Sequence, residues 1–401
     1  MFGMLVPLLV GSAAALLLAT AARRRLSRTP LARGRRIACL GDSFVDVQIA
    51  GVVDLPRWGT DCTCQSVSLM AGGSCANTAR HLSGLGNSCS FSVSFFSALG
   101  DDEFGSFFLH HLSSEGLFNS LSETLLPLKD TPQSACVILS GQRDRAMISC
   151  YSSNAKLRTS SIASEMMARG PWSLLHLGGY FSCTGLHTAE LLELCTRLRH
   201  NGTLLSLDLQ YDASESWTGE DGHLFLMLPL LDIFLPSHIE AIGVANALSQ
   251  SPGSAQARLL PPGGGISAVG DALDTLCAQY PELLVVIKCG EDGVKAGRGV
   301  TRFAHPAFLV DVVDPTGCGD AFDAGFLASM RFEHLSSPMF PQRCEQAVPQ
   351  VLVAQACLER VLRLSEWRTY ITSSSVHADM QCDVVLPRAF SVTGVKPPHV
   401  G

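Results

Sequence analysis

The segment VVDPTGCGDAFDAGFLASM, residues 312–330, sets glycines, a cysteine and a carboxylate where an apolar strand gives way to a helical run. Asp314-Pro315 cannot continue a strand ladder, and Gly317-Cys318-Gly319 then lead into Asp320. Glycines just before a helix let the backbone approach an anion closely, and the N–H groups and dipole of the first turn stabilise negative charge there. A carboxylate at the same point can take a proton from an attacking hydroxyl. An anion hole with a base is what phosphoryl transfer requires. An aspartate that only caps a tight strand–helix turn has the same local sequence, so the segment alone leaves both readings open. The spacing is not the dinucleotide fingerprint, because Phe322 stands where a third glycine belongs, and the chain contains no G-x-x-x-x-G-K-[ST] loop.

The elements that must position this segment follow from the alternation of apolar runs and amphipathic stretches after Arg36. Residues 37–41, 174–178, 204–209, 232–236 and 283–288 read as short buried strands. Between them, helices are expected over 76–85, closed by Gly86, over 104–117 with Gly116 near the end, and over 187–199. Strands separated by helix-length segments imply an α/β fold with a mostly parallel central sheet covered on both faces. Residues 47–70 and 131–150, rich in Val, Thr, Ser and Cys with partial period-two alternation, read as extra antiparallel strands. Residues 249–267, with PPGGG inside, form a loop; one further helix is expected at about 345–363, before a polar tail over 366–401.

The chain has 401 residues, 47% hydrophobic and 16% charged, enough for a sizeable core. Its net charge of −7 includes an acid-free N-terminus carrying Arg23, Arg24, Arg25, Arg28, Arg33, Arg35 and Arg36, so the body is more acidic still. That argues against the nucleic-acid backbone as a partner. The 15 cysteines are scattered, with Cys62 and Cys64 the one close pair, which fits reduced thiols in an intracellular or organellar protein. Residues 5–22 are almost unbroken apolar and run straight into the arginines. They read as a signal peptide, as a membrane anchor leaving the body on the cytoplasmic side, or as part of an import sequence for an organelle such as a plastid or mitochondrion. Residues 1–36 are therefore set apart from the folded domain, 37–365; without targeting, the protein is cytoplasmic.

DPTGCGDAF resembles the C-terminal signature of the ribokinase-like, or PfkB, carbohydrate kinases, whose usual form is D-T-x-G-x-G-D. MAGGSCANTARHLSGLG (70–86) resembles that family's sugar-gripping segment, and ALGDDEFG (98–105) the stretch that follows it. The resemblance runs from about residue 37 to 361. It implies an ATP-dependent kinase that phosphorylates a sugar hydroxyl, with Asp320 as base and the backbone of Gly317, Cys318 and Gly319 as anion hole. Asp46, ending a strand, is expected to accept hydrogen bonds from two sugar hydroxyls. Gly72 and Gly73 would let the backbone approach the sugar, and Asn77 would offer it a donor and an acceptor. Asp144 and Asn154 lie where relatives often add a substrate contact.

LDIFLPSHIEA (231–241) resembles the family's N-x-x-E segment, with Ser237 in the asparagine's place and Glu240 retained, so Glu240 is expected to act on magnesium through water. VVIKCGEDGV (285–294) resembles the nucleotide-binding turn, with Gly290 and Gly293 in place and Lys288 for a more usual threonine, reaching phosphate or facing solvent. Asp314 and Thr316 match a loop that in many relatives binds a monovalent cation such as potassium. The resemblance also implies that the antiparallel strands of 47–70 and 131–150 form a small β lid, whose strands relatives often pair between two subunits, which implies a homodimer. Two alternatives are a nucleoside kinase of the adenosine type and a catalytically weak, kinase-like organellar assembly protein.

Overall fold

In the first strand, Ile37 and Cys39 face one way and Ala38 and Leu40 the other, all fully buried, because successive strand side chains alternate between faces. A strand apolar on both faces needs cover on both, and this requirement shapes the architecture. The computed structural model describes residues 35–330 except 90, 119–120, 142–144, 251–258, 262–265 and 308–315. The apolar run 5–22, Asp144, Asp314, most of PPGGG, the helix expected at 345–363 and the tail 366–401 lie outside the described residues. Among the described residues no helix is long and apolar enough to cross a membrane.

The strands are β1 (Arg35–Gly41), β2 (Phe44–Ala50), β3 (Ser66–Gly72), β4 (Phe91–Gly100), β5 (Leu125–Leu128), β6 (Ala135–Ser140), β7 (Arg145–Cys150), β8 (Leu174–Gly178), β9 (Leu204–Leu207), β10 (Ile233–Phe234), β11 (Leu284–Lys288), β12 (Val294–Arg298) and β13 (Thr301–His305). The larger sheet has the order β13-β12-β11-β10-β9-β8-β1-β4-β5. It is parallel from β11 to β5, and β12 and β13 close one edge as antiparallel strands.

Its main helices are α1 (Ser74–Cys89), α2 (Glu103–Glu115), α3 (Thr159–Arg169), α4 (Ala189–His200), α5 (His238–Gln250), α6 (Ile266–Gln279) and α7 (Cys318–Ser329). One face of the sheet packs under α3, α4, α5 and α6 through residues such as Met166, Leu191, Leu194, Val244 and Leu276. The other packs under α1, α2 and α7 through Leu82, Phe108, Leu112, Phe322 and Phe326. Each fully buried side chain of this size contributes about 1.5–3 kcal/mol relative to exposure. The two layers, not any one helix, therefore hold the fold.

Two local expectations meet different fates. Gly116 ends α2 in the left-handed conformation, φ 65°, and its N–H bonds back to the Ser113 carbonyl. Gly86 does not end α1, which continues to Cys89. A Cβ at Gly86 would lie 2.7 Å from the Phe91 carbonyl oxygen, so the glycine serves the close approach of the helix to β4.

The smaller sheet has the order β3-β2-β6-β7. It is two antiparallel hairpins, β2–β3 and β6–β7, joined by a parallel pairing of β2 with β6. Val67, Leu69, Met70, Met147 and Ile148 are exposed on it. The hairpins follow β1 and β5 in the chain, so both leave the larger sheet from the C-terminal ends of its parallel strands.

Candidate active site

The C-terminal ends of the parallel strands carry the polar residues, as crevices in open α/β sheets do. β1 ends at Gly41 and is followed by Asp42; β9 is followed by Asp208; Ser237 follows the strand β10; β11 ends in Lys288. Asp42 is buried, and its carboxylate accepts the Cys75 N–H at 2.8 Å, which fixes the start of α1. Burial, the loss of water around the charge, pushes Asp42 up to about 7.

On α1, positions 74, 77 and 78 share one helical face, and that face meets α7. Asn77 Nδ2 donates to Asp320 Oδ2 at 2.9 Å, and the Ser74 hydroxyl lies 3.0 Å from Asp320 Oδ1. The two motifs, 243 residues apart, thus meet at one carboxylate. Asp320 is 6% exposed. Burial, then the nearby Asp208 carboxylate, pushes it up to about 8, against the hydrogen bond from Asn77 and the charge of Lys288.

Gly317 precedes α7 with φ 76°, a left-handed conformation that glycine adopts without a Cβ penalty. The first helical bond runs from Ala321 N–H to the Gly317 carbonyl at 2.9 Å, so the N–H groups of Cys318, Gly319 and Asp320 precede the ladder. A Cβ at Gly317 would lie 3.9 Å from Asp320 Oδ2 and 4.0 Å from Asn77 Nδ2, which puts the glycine turn directly against the carboxylate. Free N–H groups at a helix start beside a carboxylate make an arrangement in which an anion can be held next to a proton-accepting group.

Lys288 neither faces solvent nor stands apart. Its ammonium donates to Asp208 Oδ1 at 3.1 Å and to Asp323 Oδ2 at 2.9 Å, and it would be 3.7 Å from a Cβ at Gly319. Burial alone would push Lys288 down, but Asp208, Asp323 and Glu240 outweigh it and hold the ammonium charged. The Ser74 hydroxyl also lies 2.9 Å from Asp208 Oδ2. Ser74, Asp208 and Asp323 were not singled out in the sequence. A strand-end aspartate in LSLDL was the available signal for Asp208; Ser74 and Asp323 carry none by themselves.

Ser237 and Glu240 bind each other. The Ser237 N–H donates to Glu240 Oε2 at 2.8 Å, and the Glu240 N–H to the Ser237 hydroxyl at 3.4 Å, the reciprocal arrangement of a capping box at the start of α5. Burial and then Asp208 push Glu240 up to about 7. The Lys288 N–H donates to the Pro236 carbonyl at 2.9 Å, which brings this cap beside β11. Gly290 and Gly293 occupy the turn between β11 and β12.

Asp46 lies inside β2 rather than at a strand end, because the strand begins at Phe44 and runs to Ala50. Its carboxylate occupies the space a side chain at Gly72 would fill; a Cβ there would come within 2.0 Å of Asp46 Oδ2. Burial pushes Asp46 up to about 6, opposed by the Arg80 charge. Arg80 pairs with Glu115 and donates to Asn77 Oδ1 at 3.2 Å, so both ends of the Asn77 amide are engaged within the protein. Gly73, φ 104°, precedes α1. Asn154 is fully buried: its Oδ1 accepts the Ser43 N–H at 3.1 Å, while its Nδ2 has no partner among the described residues. Thr316, expected in a cation loop, accepts a hydrogen bond from Arg145 of β7 at 3.0 Å, a direct tie between lid and glycine turn. Among the described residues no group of three His, Cys, Asp or Glu side chains is arranged to hold a metal ion.

Comparison with known proteins places these features in a wider group. Residues 35–331 match the sequence profile of the pfkB family carbohydrate kinases. The chain is 37% identical over 59 residues to the ATP-dependent ribose-1-phosphate kinase of Halopiger xanaduensis, a stretch covering 15% of this chain and 20% of that protein. It therefore spans about a fifth of that curated relative's length. Among solved structures it is similar to the ribokinase of Giardia lamblia, with a TM-score of 0.61, 16% identity, and coverage of 80% of this chain and 92% of that one. The Arabidopsis thaliana ribokinase, solved with ribose and ATP, gives a TM-score of 0.59, 16% identity, and coverage of 82% and 93%. At these identities the structural likeness is one of fold, a ribokinase-like α/β sheet with a small second sheet. The profile match, by contrast, begins at the first residue of β1 and passes the end of α7, taking in every element that carries the site. The chain belongs to the pfkB carbohydrate kinase family.

Proposed function

We propose that this protein transfers the γ-phosphoryl group of ATP to a hydroxyl of a small sugar, with Asp320 as the base. The observation that carries the reading is the meeting of three features at one point: a buried carboxylate, the left-handed glycine turn of α7, and Asn77 from the sugar-gripping segment. Bound ATP with magnesium supplies the transferable phosphoryl group and neutralises charge along the phosphates. The residues for this are present in chemical kind. The N–H groups opening α7 stabilise negative charge on the phosphoryl oxygens, and Lys288 adds a fixed positive charge beneath them. With no three-ligand cage among the described residues, magnesium would be held through phosphate and water, with Glu240 as the acid nearest in kind to that task.

Asp46 accepts hydrogen bonds from sugar hydroxyls, since a carboxylate offers acceptors only. Asn77 orients Asp320 through its amide. The small sheet, tied to the glycine turn by Arg145 and Thr316, excludes water over the reacting centre. The test is ATP consumption against a panel of sugars, phosphorylated sugars and nucleosides, for the wild type and Asp320→Asn. Wild-type turnover on at least one sugar is expected, falling about 10²–10⁴-fold in the variant. Turnover confined to nucleosides, or no greater than the variant's on every acceptor, would overturn the reading.

A further inference from the structure

Asp320 meets a second carboxylate through one hydroxyl. Ser74 Oγ lies 2.9 Å from Asp208 Oδ2 and 3.0 Å from Asp320 Oδ1. All three residues are buried. A serine hydroxyl has one proton to donate, while its oxygen can accept. Ionised carboxylates only accept, so both short contacts are hydrogen bonds only when one of the two acids carries a proton.

The surroundings decide which. Lys288 donates to the far oxygen of Asp208 at 3.1 Å, so that carboxylate is already engaged as an acceptor by a cation, and Ser74 then donates to its other oxygen. The proton therefore sits on Asp320 Oδ1 and is donated to Ser74 Oγ. Burial and the charge of Asp208 act in the same direction on Asp320. The other oxygen, Oδ2, takes the Asn77 amide and faces the glycine turn. The charged or titratable groups around this chain of bonds are Lys288 on β11, Asp323 on α7, Glu240 at the start of α5, His176 on β8 and Asp42 after β1.

A base that already holds a proton must release it to act. We propose that Ser74 is a proton relay, so that Asp320 takes the acceptor's proton on Oδ2 while its Oδ1 proton passes through Ser74 to Asp208. The step balances. The acceptor O–H bond breaks as Oδ2–H forms, and Oδ1–H breaks as the Ser74 oxygen gains that proton. The former Ser74 O–H breaks as Asp208 Oδ2–H forms. The electron pair left on the acceptor oxygen makes the new bond to phosphorus, and the bond from phosphorus to the ADP oxygen breaks. Asp208 returns its proton to solvent after release. Ser74 touches Asp320, not the acceptor, and is a positioning and relay residue. The relay rests on the kinase reading for its use, but the shared proton does not.

Two measurements on the full chain test it. In the first, ¹³C-carboxyl NMR of aspartate-labelled protein is followed across neutral pH, with Asp208→Asn and Asp320→Asn identifying the signals. The Asp208 and Asp320 signals are expected to titrate together in the wild type and separately in Ser74→Ala. An Asp320 signal that titrates with Asp208 unmoved would overturn the shared proton. In the second, turnover in H₂O–D₂O mixtures is measured on whichever panel sugar the wild type phosphorylates. The proton inventory is expected to be curved in the wild type and linear in Ser74→Ala, whose kcat falls about 100-fold. KM for ATP should be unchanged, and Ser74→Thr should restore the curvature. Wild-type kcat and curvature in Ser74→Ala would sink the relay. A wild type inactive on every acceptor would instead remove the kinase reading, and the NMR result would decide the shared proton alone.

Discussion

Gly72 shows how a residue without a side chain acts on one that has chemistry. The carboxylate of Asp46 lies where the Gly72 Cβ would be, within 2.0 Å, and the strands β2 and β3 that carry them are hydrogen-bonded neighbours. Gly72→Ala must therefore turn Asp46 away from its present position. Loss of one charge-assisted hydrogen-bonding group toward a ligand is worth about 1.5–3 kcal/mol. KM for the sugar is expected to rise about 10–100-fold, with KM for ATP unchanged, in initial-rate kinetics. An equal rise in both constants would show that the glycine serves only the lid's own folding. The family resemblance gives Gly72 and Gly73 as room for the sugar's approach; that Gly72 also makes room for Asp46 depends on the register of β2 against β3. The same dependence separates Asp320 from Asp208 and Asp323. Asp208 follows a strand, Asp320 opens a helix and Asp323 lies inside that helix, and only the Asp320 segment, DPTGCGDAF, is marked out by its glycines.

At the scale of elements, α5 shows one sequence pattern serving two purposes. Ser237-x-x-Glu240 reads as a departure from a metal-site pattern, yet the same spacing is that of a capping box, and the two residues bond reciprocally. Ser237→Ala removes the hydroxyl that accepts the Glu240 N–H. It should destabilise the protein by about 1 kcal/mol in urea unfolding, with an unchanged slope against denaturant. Restoration of the lost stability by Asn or Asp at 237 would mark the effect as capping. The lid is tied to the glycine turn by Arg145 on β7 and Thr316, so its hairpins are elements of the site and not decoration on the sheet. The antiparallel strands themselves were legible from composition and partial period-two alternation. The parallel seam of β2 with β6 was not, because strands 85 residues apart leave no local pattern of their pairing.

Over the whole molecule, buried ionisable groups set the pH response. Asp42 and Glu240 are pushed up to about 7 and Asp320 to about 8, each first by burial. When unfolded these acids ionise near their ordinary values, about 3.9–4.3, so from there to about pH 8 the folded state binds more protons and their contribution to stability falls as pH rises. His176 and His187 are held down to about 4 by burial. They act oppositely, since between about pH 4 and 6.5 the unfolded state binds more protons and stability rises with pH. As pH rises past about 6.5 the unfolded histidines lose their remaining protons as well, and the contribution of the acids dominates. Thermal unfolding should therefore show Tm falling from about pH 6.5 to 8, less steeply in Asp320→Asn. A Tm that rises over that interval would contradict the burial of these acids as described.

By itself the sequence determined the class of fold, through apolar runs that are buried on both faces and must alternate with helices. It also determined the glycine turn, because φ 76° at Gly317 is a local demand that only the residue type answers. What only the tertiary structure decided is which polar groups meet. Asn77 and Asp320 were each visible, but their contact, and the placing of Ser74, Asp208, Lys288 and Asp323 around it, comes from packing α1 against α7 over the ends of β9 and β11. The physical reason is that periodicity and turn chemistry act over a few residues. Burial of a charge, the choice of its partner and the place of a proton depend on groups that only folding brings within 3 Å.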